Sequence, residues 1–134
     1  MSLYDKLMAV DDSTINEKRA KKVHSDRLSA LFGTDTEVTV NALPYRQVVR
    51  IMDKATKDNG RLDPEKAVDA RCHLIRLAIT EIPWGNEELQ KKFNATDPKD
   101  LAEKLFDYDI GVMADAVLEV SGYIGADEED QGTA

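Results

Sequence analysis

Residues 63–82 read DPEKAVDARCHLIRLAITEI, and this stretch decides the fold. Asp63 supplies an N-cap, Pro64 sits in the first turn where no N–H is needed, and Glu65 places an acid where the helix dipole favours one. Ala67, Val68, Leu74, Ile75, Ala78 and Ile82 then share one face, with Arg71 set among them, and Cys72 and Ile79 widen the stripe. A stripe that broad needs more than one neighbour to cover it. The segment from Asp63 to about Glu81 is therefore the expected central helix of a bundle.

Downstream, Ile82-Pro83-Trp84-Gly85-Asn86 breaks the chain. A short amphipathic piece follows from Asn86 to Phe93, with Leu89 and Phe93 at i, i+4. A second runs from Asp97-Pro98 to Phe106 and turns Leu101, Ala102 and Leu105 inward. The last helix is expected from about Tyr108 to Ser121, burying Ile110, Met113, Ala114, Val117 and Leu118. Gly122 closes it, and Tyr123-Ile124 tucks the end back onto the core.

Upstream, Leu43-Pro44 starts a helix whose Val48, Ile51, Met52 and Ala55 lie on one face, and Lys57-Asp58-Asn59-Gly60 stops it. Glu37-Val38-Thr39-Val40 is the convincing strand signal, left either to pair with a copy in another subunit or to lie extended across helices. Thr14-Ile15-Asn16-Glu17 has the form of a capping box and predicts a helix running towards Gly33. The expected architecture is all-α: a compact bundle of about five to six helices with at most one short strand near 37–40. Residues 1–27 read as a polar, partly helical arm, 28–124 as a single helical domain, and 125–134 as a disordered acidic tail.

Charge narrows the function classes. The 134 residues carry 18 basic and 26 acidic side chains, a formal net charge of −8. Residues 105–134 hold no Lys or Arg and eight acids: Asp107, Asp109, Asp115, Glu119, Asp127, Glu128, Glu129 and Asp130. That end is either a solvated face followed by a polar tail or an electrostatic handle for a basic partner. The basic stretch Lys18-Arg19-Ala20-Lys21-Lys22 could touch phosphates, but a solvated helix face is the favoured reading. Overall acidity argues against a nucleic-acid binder, and no apolar run reaches the roughly 18 residues of a membrane span.

Catalytic motifs do not assemble. His24 and His73 fall in different helices, and Cys72 beside His73 points about 100° away from it on a helical wheel. With Gly60 at the sixth position of a calcium loop, Ala55 would stand first, and Gly111 falls at position five of its own acidic run. No phosphate-binding glycine loop or Gly-x-Ser-x-Gly elbow occurs, so no enzyme, metal or cofactor is expected. Trp84, beside a proline in an inter-helix break, reads either as a plug for that corner of the core or as an exposed anchor for a partner.

The second half resembles a known family. The run Ile82-Pro83-Trp84-Gly85-Asn86-Glu87-Glu88-Leu89-Gln90-Lys91-Lys92-Phe93-Asn94, then Asp97-Pro98-Lys99-Asp100-Leu101, and the ending Leu118-Glu119-Val120-Ser121-Gly122-Tyr123 are similar to the XkdN-like tail assembly chaperones of phages and prophages of Gram-positive hosts with contractile tails. The resemblance spans roughly residues 28–123, and its weight lies in the order and spacing of short capping patterns. Asp107-Tyr108-Asp109 departs from the Pro-Gly-Glu-like start of the family's final helix. The resemblance implies a non-enzymatic protein of the bacterial host cytoplasm that binds the phage tape-measure protein during tail assembly and is absent from the finished virion. The tail-tube protein is a second implied partner. A longer form made by frameshifting near the end of the coding sequence is also implied. Candidate partner-binding residues on this reading are Trp84, Leu89, Phe93, Leu105, Val117 and Tyr123. A structural tail component, a small nucleic-acid-binding regulator using 18–27, and self-association into a homo-oligomer stay open as alternatives.

Overall fold

The computed structural model of the protein describes residues 2–11, 19–56 and 59–123. In chain order the elements are α1 (Leu3–Met8), β1 (Ala20–His24), α2 (Asp26–Phe32), β2 (Glu37–Asn41), α3 (Tyr45–Asp53), α4 (Pro64–Ala78), α5 (Glu87–Lys92), α6 (Pro98–Phe106), a 3-10 turn (Asp107–Asp109) and α7 (Ile110–Val120). The fold is mostly helical, with one small antiparallel sheet. The capping box at 14–17 and the acidic tail lie outside the described residues.

α4 occupies the centre, packing against α3, α6 and α7. Asp63 accepts from the Glu65 and Lys66 amides, so the expected cap forms, and Pro64 opens the helix. Leu74, Ile75, Ala78 and Cys72 are wholly buried, and Phe106, Leu101, Met113 and Val117 meet the same core from α6 and α7. Burial of this kind is worth roughly 1.5–3 kcal/mol per large apolar side chain, which is why the broad stripe rather than helix propensity places α4.

The sheet corrects the expectation of a single strand. β1 and β2 pair antiparallel, with Val23 opposite Val38 and Lys21 opposite Val40. Residues 20–24 are thus strand where the polar pattern predicted helix. The helix that ends at Gly33 begins only at Asp26, capped by Ser25, whose Oγ accepts from the Leu28 amide at 3.0 Å. Pairing overrides the helix-favouring lysines because β2 buries Val38 and Val40 and offers β1 a ladder, while a helix here would bury little.

β2 also finds its partner within the chain rather than in a second subunit. Its outward Thr39 amide donates to Glu81 Oε1 at 2.6 Å, so that side chain occupies the opposite edge at this point. The central helix stops at Ala78, short of Glu81, because Ile79 turns extended. The carbonyls freed there are taken up: Asn41 Nδ2 donates to Ala78 O at 3.0 Å and Trp84 Nε1 to Ile79 O at 2.9 Å. The last helix begins at Ile110, two residues later than expected, after the 3-10 turn. Gly122 closes it at φ 83°, a left-handed conformation that costs glycine little.

Candidate functional site

α1 is the element whose surface chemistry most needs a partner. Ser2 and Asp5 form a reciprocal capping box, the Asp5 amide donating to Ser2 Oγ at 3.1 Å. The helix buries no residue of its own: Leu3, Tyr4, Leu7 and Met8 are 72%, 67%, 61% and 69% exposed. Positions 3, 4, 7 and 8 fall on one face, with Asp5 and Lys6 opposite. Sequence reasoning passed over this helix, although Ser2-x-x-Asp5 followed by paired apolar residues was the available signal.

The six residues singled out in the sequence divide between interior and flank. Leu105 is 5% exposed and Val117 is wholly buried, both in the core, so in this conformation they support the surface from beneath. Trp84, Leu89, Phe93 and Tyr123 are half-buried against that core. Trp84 is pinned at both ends: its ring lies 6.3 Å from Phe106, and its carbonyl accepts from Gln90 Nε2 at 2.8 Å. Phe93 opens on a cavity of about 410 Å³ walled by Val68 and Ile110 and rimmed by Arg27, Glu103, Lys104 and Asp107. Tyr123 leaves this region and packs its ring 6.0 Å from Tyr45 at the start of α3. Phe93 thus lines that cavity, Trp84 packs on Phe106, and Tyr123 belongs with α3.

A buried polar tie holds the first and last parts of the chain together. Ser25 Oγ donates to Asp109 Oδ2 at 2.7 Å, and the Arg27 amide donates to the same oxygen at 2.9 Å. Ser25 is fully buried and Asp109 nearly so. Lys21 of β1 reaches Glu119 of α7 at 3.3 Å, which engages part of the basic stretch with the acidic helix.

Between the end of α3, α4 and the start of α6 lies a second cavity, of about 260 Å³. Its walls carry Lys54, Lys66, Arg76 and Lys99 against the lone acid Asp69, with His73 beside them and Ile51 and Ala70 as apolar floor. Lys99 pairs with Asp69 at 3.3 Å. Burial, then Arg76 and Lys54, push His73 below its ordinary 6.5, as a cationic field should. Burial, with Glu103 and Asp69 adding to it, raises the Cys72 thiol to about 12, so it is an inert part of the core. Among the described residues no three His, Cys, Asp or Glu side chains converge to hold a metal, and no helix is long and apolar enough to cross a membrane.

Comparison with known proteins adds two findings. Residues 4–132 match the family model for phage XkdN-like tail assembly chaperone proteins. The structure is similar to the crystal structure of the protein yqbn, with a TM-score of 0.52 and 13% identity, over 78% of this chain and 87% of that chain. At that identity the likeness speaks for the fold alone. No curated protein matches the chain.

Proposed function

Since the chain belongs to the phage XkdN-like tail assembly chaperone family, its model matching residues 4–132, we propose that this protein binds the tape-measure protein, keeps it soluble while the tail is built, and leaves before the virion is complete. It acts in the host cytoplasm, by binding and without catalysis. The observation that carries the reading is the apolar face of α1, with Leu3, Tyr4, Leu7 and Met8 all more than half exposed. A face of that kind suits a helical client with apolar stripes of its own, which would otherwise self-associate.

Phe93, which lines its cavity, and half-buried Trp84 are the second contacts proposed for client side chains. The net charge of −8 keeps such a complex soluble by repulsion between copies.

Co-expression of the tagged protein with the tape-measure product encoded nearby tests the reading. Co-purification together with a soluble client is the expected result. An insoluble client with nothing co-purified, tried also with the frameshifted form, sinks it. Recovery of the protein from purified particles would instead support a structural tail component.

A further inference from the structure

The cavity between α3 and α4 is a concentration of positive charge in an acidic protein. With Lys99 taken by Asp69, the cations Lys54, Lys66 and Arg76 have no ion pair among the described residues. Arg76 Nε is moreover buried without an acceptor, so part of that charge has lost water and gained nothing in return. Arg46 and Arg50, exposed and also without an ion pair among the described residues, stand two turns and one turn before Lys54, forming a basic track along α3 that leads to the cavity.

The other end of that track is where the described chain stops. Tyr123 rests on Tyr45, the first residue of α3. From Tyr45 to Lys54 the helix rises about 13 Å. Asp127 follows Tyr123 by four residues, a reach of about 13 Å, and Asp130 by seven, a reach of about 23 Å. The run Asp127-Glu128-Glu129-Asp130 therefore has the charge and the reach to lie along Arg46 and Arg50 and enter the cavity.

We propose that the cleft formed by Lys54, Lys66 and Arg76 is the docking site of the chain's own acidic segment Asp127–Asp130, which covers it intramolecularly. Carboxylates entering it meet cations that are unpaired among the described residues, over the apolar floor of Ile51 and Ala70, an arrangement that favours charge-assisted hydrogen bonds. The inference does not depend on which client the protein serves.

The test uses the full chain with Thr133→Cys carrying a nitroxide, buried Cys72 remaining unlabelled, and reads amide signals by NMR. Selective broadening of Lys54, Lys66, His73 and Arg76 is expected. It should vanish at about 1 M salt, where the screening length shrinks to about 3 Å. It should also vanish when Asp127, Glu128, Glu129 and Asp130 become Asn or Gln, or when Lys66→Glu is introduced. Lys66→Gln serves as a milder variant should Lys66→Glu unfold. Broadening confined to the end of α7, or indifferent to these substitutions, overturns the proposal. So does a cleft that ignores its own segment yet binds an added acidic peptide, which would make it a site for another chain.

Discussion

At the scale of single residues, Asp109 holds more together than its surroundings suggest. One carboxylate oxygen accepts from Ser25 Oγ and the Arg27 amide, and all three groups are at least partly out of water. Asp109→Ala leaves both donors without an acceptor and should cost about 2–3 kcal/mol, read as a lowered urea midpoint. Ser25→Ala should cost less, and the double variant less than the sum, because both act on one network. Trp84 offers a graded comparison. Trp84→Phe keeps the ring against Phe106 but drops the bond to the Ile79 carbonyl, a loss of about 1 kcal/mol; Trp84→Ala removes the packing too and should cost about 3 kcal/mol. Neither Asp109 nor Ser25 was marked as buried by the sequence, since a polar residue shows its depth only through a partner 84 positions away.

Among elements, legibility followed locality. α4 and α6 were readable because cap, first-turn proline and apolar period all lie within one segment: Asp63 caps α4 as expected, and Asp97 caps α6 by accepting from the Asp100 amide. β1 was not, since its ladder lies in β2 and its support in α7, while its own Lys-Lys-Val-His composition favours no state strongly. α1 was missed because six residues are too few for a period to stand out. The cationic cleft escaped for a related reason: Lys54, Lys66 and Arg76 come from separate turns of two helices. α1 also allows stability and function to be separated. Leu7→Asp with Met8→Asp should leave the unfolding midpoint within about 0.5 kcal/mol of wild type, because the helix buries nothing. The same pair should abolish client co-purification.

For the whole molecule, charge is asymmetric in a way that stability measurements can read. His73 is held below 6.5 in the fold by burial, Arg76 and Lys54, so below 6.5 the unfolded chain takes up its proton first. Stability should therefore fall as pH drops from 6.5 towards the lowered value, and His73→Gln should flatten that part of the curve in urea titrations. The loss should be largest in the chain whose residues 127–130 have been neutralised, where Asp69 alone in the cavity lining offsets the neighbouring cations.

α7, the last described helix, is the surface on which β1, β2 and α4 all pack, and Ser25 cannot satisfy its buried hydroxyl until Asp109 arrives. Seen as an event in time, the strand made early waits for the helix made late. A nascent chain with α7 still inside the ribosome has part of α4 uncovered and no floor for its sheet, so the cooperative step waits for α7 to emerge. The protein thus spends part of its own synthesis with an apolar face of α4 open.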